Sequence, residues 1–249
     1  MIRHGVSPIL LLLVLPALLA AAPRKTIRVL VWSEMSEPAA IYPHGINGAL
    51  ADALKKDASL SVKTAMITDP DLGVSDAALD ETDVLIWFGH RRHAEITPEA
   101  IQRIVRHIKE KGMGYLPLHS SHFALPFKAI LNEIQQTKDV GAWRNYINDG
   151  KPIEIVVADP NHPIAKGVKN FSVPKTERYE EPFQVPGPET VVFNGTYSDG
   201  THARQGLCWT IGKGRVFYWR TGHEEYPIFF MPEVQKVIDN AVHWLGEDH

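Results

Sequence analysis

The chain has 249 residues, 44% hydrophobic and 22% charged, with a formal net charge of −3. These values fit a globular chain long enough to close a hydrophobic core, and they exclude intrinsic disorder, collagen and coiled coil. The slight negative charge and the lack of a long basic run argue against nucleic acid as a partner, and a single cysteine, Cys208, excludes an internal disulfide or a thiolate zinc site.

Met1 to Ala22 reads as a secretory leader: Arg3 is the positive region, Ile9 to Leu19 the apolar region, and Ala20 to Ala22 the small residues of a cleavage site. The apolar run is short for a membrane helix. The mature protein is therefore expected to be secreted or periplasmic, with membrane anchoring by an uncleaved leader as the alternative. Ile27 to Trp32 is a continuous apolar run of the kind that forms a strand buried on both faces. Helical spacing follows over Gly45 to Lys56. Leu60 to Met66 is a second strand, Asp76 to Asp80 a short helix or turn, and Val84 to Phe88 a third strand. Thr97-Pro98-Glu99 starts a helix that Gly112 stops, and Met113 to Leu118 is a fourth strand. This alternation predicts a doubly wound, mostly parallel α/β sheet flanked by helices. Beyond it, Ile153 to Val157, Thr190 to Tyr197, Gly206 to Thr210 and Arg215 to Arg220 read as strands of an antiparallel extension, closed by a helix over Pro232 to Leu245. The whole is read as a single domain over residues 27–246.

In such a sheet, ligands bind at the carboxyl ends of the parallel strands. Glu34, Glu37 and His44 follow the first strand, Gly89-His90-Arg91-Arg92-His93 the third, His119-Ser120-Ser121-His122 the fourth, and Gly222-His223-Glu224-Glu225-Tyr226 the last. Two HxxH pairs plus His223 at strand ends point to a polyhistidine or metal site, since imidazole suits transition metals. His90, His93, His119 and His223 are the expected ligands of a divalent transition metal, with zinc the leading choice. Glu34 and His122 are candidate proton-transfer groups, and His44 and Trp32 candidate substrate contacts. Trp32, Trp87 and Trp219 fit either core packing or stacking on a sugar. His107 and His243 lie in helices, His162 in a turn, His202 in a hairpin and His249 at the terminus, so none of them is placed in the site. Ser120 sits where a nucleophile elbow would expose it, but the glycines of G-x-S-x-G are missing around it.

The ordered segments IRVLVW, YPHGIN, IWFGHRRH, YLPLHSSHF, WRNYI, DPNHPIAKGV, ERYEEPFQVP, GKGRVFYWRTGHEEYP and NAVHWL resemble the trehalose-utilisation ThuA-like family from Ile27 to Leu245. The resemblance implies a class I glutamine amidotransferase-like, flavodoxin-like fold. It also implies that the amidotransferase cysteine has given way to His119-Ser120, either of which fills the elbow. It adds Glu177, Tyr179 and Tyr226 as substrate-binding residues and Glu181 and Ser120 as catalytic ones. Asn47 stands where relatives tend to carry histidine. The implied role is in disaccharide breakdown beside an oxidoreductase that makes 3-keto-sugars, with a small-molecule carbohydrate as substrate. The leading expectation is a metal-dependent enzyme that isomerises, eliminates or hydrolyses keto-sugars or keto-glycosides. A non-catalytic carbohydrate-binding or partner subunit is the second reading and a serine-type hydrolase the third.

Overall fold

The computed structural model describes Met1 and residues 25–136 and 138–247. The expected leader and His249 lie outside the described residues. In chain order the elements are β1 (Ile27–Ser33), α1 (Gly45–Leu54), β2 (Leu60–Met66), α2 (Asp76–Asp80), β3 (Val84–Phe88), α3 (Pro98–Lys111), β4 (Gly114–Leu118), α4 (Leu125–Asn132), β5 (Trp143–Ile147), β6 (Ile153–Val157), β7 (Phe171–Val173), β8 (Arg178–Phe183), β9 (Thr190–Tyr197), β10 (His202–Ile211), β11 (Gly214–Trp219) and α5 (Pro232–Gly246).

Among the described residues, nine strands form one sheet in the order β2-β1-β3-β4-β11-β10-β9-β6-β7, while β5 and β8 pair as a separate ribbon. From β2 to β11 the neighbours are parallel. From β11 to β7 they are antiparallel. The doubly wound sheet with its antiparallel extension is thus the observed architecture. The helix α4, the short strand β7 and the β5–β8 ribbon carry no long apolar run and were not anticipated.

The continuous apolar strands are explained by two cores, one on each face of the sheet. Alternate residues of β1 divide between them: Val29 and Val31 pack with Ile46 and Leu50 of α1 and Val237 and Ile238 of α5. Leu30 and Trp32 pack on the other face with Ile104 and Ile108 of α3 and Phe127 and Ile130 of α4. Each such side chain taken wholly out of water contributes about 1.5–3 kcal/mol. The ends of α3 follow the chain's own signals. The Thr97 hydroxyl accepts from the Ala100 N–H, Pro98 opens the first turn, and Gly112 ends the helix at φ 81°. The last helix seals the first core by direct backbone contact: a Cβ on Gly114 of β4 would lie 2.7 Å from Leu245 Cβ and 2.8 Å from the Leu245 carbonyl oxygen. Among the described residues no helix is long and apolar enough to cross a membrane.

Because backbone rather than a flexible side chain fills that space, Gly114→Ala must displace α5. We expect a loss of about 1–3 kcal/mol in urea unfolding, with an unchanged slope. An unaltered midpoint would contradict this packing.

Candidate active site

The turn after β4 builds the centre of the site. His119 follows the strand at φ 47°, left-handed backbone that a non-glycine residue rarely adopts. It is this residue, not Ser120, that occupies the strained elbow. The strain is held by bonds on both sides of the residue: the Tyr218 hydroxyl donates to the His119 carbonyl at 2.8 Å, and His119 Nδ1 donates to the Arg220 carbonyl at 2.9 Å. Since a carbonyl can only accept, the proton of the neutral ring lies on Nδ1, and Nε2 carries the lone pair. That nitrogen lies 3.1 Å from Glu177 Oε2 and 3.2 Å from the Tyr179 hydroxyl. Burial lowers the His119 pKa, so the ring stays neutral. Burial pushes the Glu177 carboxyl up, but the surrounding His119, His223 and Tyr179 groups outweigh that and hold it at about 2.

The loop after β11 brings His223 beside this pair. Its Nδ1 is 3.6 Å from Glu177 Oε2 and 3.2 Å from Glu224 Oε2. Yet His223 Nδ1 and Glu224 Oε2 are buried without a hydrogen-bond partner. Glu224 Oε1 contacts His90 Nδ1, from the loop after β3, and lies 3.6 Å from Arg91 Nη2. Burial opposes ionisation of Glu224, but His223 and His90 draw its pKa well below the ordinary carboxylate range. For His223, burial favours the neutral ring, and the Glu224, Glu177 and Glu225 carboxylates overcome it to raise the pKa.

Two overlapping ligand-type groups result, His119/Glu177/His223 and His90/His223/Glu224, each with donor atoms within 4.8 Å of one another. Two imidazoles and a carboxylate with an open position are a donor set suited to zinc or iron(II). Buried atoms without a partner and a carboxylate facing a neutral imidazole are satisfied together by one cation. The residues therefore fit a divalent ion.

Several expected site residues do other work. His93 stays outside both groups; its ring adjoins Gly89, and Nε2 is buried and unpartnered. His122 lies behind His119, with Nδ1 donating to the Gly141 carbonyl at 2.6 Å and the ring packed on Phe123, Tyr179 and Trp143. Glu34 accepts the backbone N–H groups of Arg91 and Arg92 at 2.6 and 3.0 Å, so it fixes the loop that carries His90. Glu181 is bound by Arg204 at 2.9 Å and by the Phe183 N–H, away from the cluster. Trp32 stacks on Trp87 at 3.6 Å and donates to the Leu72 carbonyl, so it is core and not a sugar platform. His44 is exposed at the start of α1, outside the cluster. Asn47 is buried with its amide on the Ala65 carbonyl, tying α1 to β2. Glu177, expected to touch substrate, falls in one of the two ligand-type groups.

Tyr179 and Ser120 do meet at the centre, with their hydroxyls 3.1 Å apart, and burial drives the Tyr179 pKa well above its ordinary value. Among the described residues Ser120 has no histidine partner. Ser121 braces the site, accepting from the Gly89 N–H at 2.9 Å and donating to the Trp87 carbonyl at 3.0 Å. Sequence reasoning missed Glu224 as a candidate ligand, although it adjoins His223 at a strand end. It also missed Asn148, which bonds Tyr226, Glu225 and His223 from a distant loop.

A strand-to-helix elbow on a doubly wound sheet, with histidine at the strained position, defines a glutamine amidotransferase-like fold without the thiolate. The only cysteine, Cys208, is buried in β10, and burial raises its pKa. The fold resembles that of a glutamine amidotransferase from Thermotoga maritima, with TM-score 0.52 and 12% identity over 90% of this chain and 100% of that one. The chain belongs to the trehalose-utilisation (ThuA) family, which it matches over residues 28–245. Similar structures include a ThuA-like protein from Bacteroides uniformis, with TM-score 0.64 and 16% identity over 93% of this chain and 95% of that one. Another is a ThuA-like protein from Parabacteroides merdae, with TM-score 0.65 and 15% identity over 90% of each chain. A comparison with curated proteins finds no match.

The buried neutral histidines have a consequence for stability. Burial lowers the folded-state pKa of His93, His119 and His122. Below about pH 6.5, the reference value, the unfolded chain takes up protons that the fold refuses. Stability should therefore fall as the pH drops below about 6.5, by up to about 1.4 kcal/mol per pH unit for each such proton. His223, shifted the other way, acts above this window, and the carboxylates act below it. Urea titrations of chelator-stripped protein should show a shallower slope for His122→Gln than for wild type; equal slopes would refute the assignment.

Proposed function

We propose that this protein is a divalent-cation-dependent enzyme acting on keto-sugars or keto-glycosides. The observation that carries the reading is the buried cluster of His119, Glu177, His223 and Glu224, where ligand-type atoms converge and two of them lack any hydrogen-bond partner. His119, Glu177 and His223 would hold the cation, with His90 and Glu224 as the adjoining group. A bound divalent ion polarises a ketone oxygen as a Lewis acid.

The remaining steps belong to side chains. Tyr179 keeps its proton, so its hydroxyl can donate to an oxygen on which charge develops. His90 is a quarter exposed, and Glu224 fixes its ring through Nδ1. Such an oriented imidazole can take a proton from the carbon α to a carbonyl and return it elsewhere, which is the chemistry of isomerisation or elimination. Ser120 contacts a phenol and not a base, which weighs against serine-type hydrolysis. Family membership in trehalose utilisation supports a carbohydrate substrate; a keto-sugar would be supplied by an oxidoreductase that makes the ketone. The leader expected from the sequence would place this work outside the cytoplasm.

The decisive experiment is metal analysis of wild type and of His119→Gln, Glu177→Gln and His223→Gln, with exposed His202→Ala as the control, followed by turnover of 3-keto-disaccharides. We expect about one zinc, iron or manganese ion per chain in wild type and control. The ligand variants should lose most of it, and turnover should fall in parallel. Uptake of no such ion by wild type would end the metalloenzyme reading. Metal without turnover would favour a carbohydrate-binding subunit.

A further inference from the structure

The two ring nitrogens of His223 face different surroundings. Nδ1 looks into the cluster, 3.2 Å from Glu224 Oε2 and 3.6 Å from Glu177 Oε2, and is aligned to bond with neither. Nε2 looks outward, 3.1 Å from Asn148 Nδ2 and 3.3 Å from Glu225 Oε2. The Asn148 amide is fixed on both sides: the Tyr226 hydroxyl donates to Oδ1 at 2.8 Å, and Nδ2 donates to Glu225 Oε2 at 3.0 Å.

A neutral imidazole carries one N–H. With the proton on Nε2, the ring donates to Glu225 and turns the Nδ1 lone pair inward. With the proton on Nδ1, the ring accepts from Asn148 at Nε2, and Nδ1 is useless as a ligand. The two outer neighbours therefore ask for opposite tautomers. A bond to a carboxylate is roughly twice as strong as one between neutral groups, and the Asn148 amide keeps its bond to Glu225 in either tautomer. Glu225 wins this competition.

We infer that Glu225, oriented by Asn148 and Tyr226, is a positioning residue that holds His223 in the Nε2–H tautomer and so makes Nδ1 a cation ligand. The inference rests on the cation-site reading above and adds how one of its ligands is kept competent. Glu225 touches neither the cation position nor the strained elbow, and its side chain is 46% exposed, so its replacement leaves the cores intact. Outer carboxylates of this kind typically matter about 10–100-fold in metal affinity.

The test uses chelator-stripped full-length protein labelled with ¹⁵N-histidine, at a pH above the raised His223 pKa so that the ring is neutral. His223 ring signals, assigned by their loss in His223→Gln, report the tautomer without any metal. Zinc affinity is measured separately by competition with a chromogenic chelator. Wild type should show Nε2–H. Glu225→Ala should shift His223 toward Nδ1–H and weaken zinc binding about 10–100-fold. The double variant Glu225→Ala/Asn148→Asp, which returns a carboxylate to the outer face, should restore both. An Nδ1–H wild type, or Glu225→Ala with unchanged tautomer and affinity, overturns the inference. Wild type that binds no zinc but shows these tautomers overturns the cation reading alone and leaves the role of Glu225 in setting the tautomer standing.

Discussion

The parallel pairing of β11 with β4 is the constraint from which the site follows. It is the seam between the parallel and antiparallel halves of the sheet, with Trp219 in register with Leu118. That register sets the residues just past β11 beside those just past β4. The His119 ring can then reach the Arg220 carbonyl, and His223 arrives within 5.4 Å, ring centre to ring centre. Separate the two strands, and the strained elbow loses its brace from Tyr218 while the histidine cluster loses half its members. Gly222 shows how close the approach is: a Cβ there would meet His119 Cβ at 2.8 Å.

Such a cluster is costly for the fold to maintain. A carboxylate removed from water loses several kcal/mol of hydration, recovered only through well-placed partners. Glu224 is fully buried and Glu177 nearly so, while the nearest guanidinium, that of Arg91, stands 3.6 Å from Glu224. Strain at His119 adds to the load. Two large apolar cores, sealed by α5 on one face and by α3 and α4 on the other, supply the stability that offsets it. Concentrating strain, buried charge and orphaned lone pairs in one place, within an otherwise consistent fold, is the pattern of a functional site.

The same residue types recur nearby in purely structural roles, and the difference lies in what each side chain faces. Glu34 follows β1 at the functional edge, yet both its oxygens are occupied by backbone N–H groups of the His90 loop. Trp32 lies on the same strand and points into the second core, where its indole nitrogen finds a carbonyl. His122 is the partner of His119 in sequence, but the turn sends its ring behind the elbow among aromatics. An HxxH spacing puts two rings on one face only where both residues are helical, and the turn from His119 to Phe123 opens on a left-handed residue, His119 itself.

The sequence by itself determined the sheet and the edge that carries the chemistry. Hydrophobic runs such as Ile27–Trp32 and Val84–Phe88 can be buried on both faces only as central strands, and Thr97, Pro98 and Gly112 mark the ends of a helix by local chemistry. Those signals act over a few residues and can be read without the fold. His90, His119 and His223 were legible as a set because each follows a strand of one parallel array. The tertiary structure alone decided which groups join them. Glu177 sits at the entry to β8, in a ribbon separate from the main sheet, and Asn148 follows β5, its partner in that ribbon. The ribbon is short and polar, so no apolar periodicity announces where it folds. Its contacts with the site span 58 residues to His119 and 75 to His223. Only long-range packing sets those distances, and with them which nitrogen of each ring carries its lone pair inward.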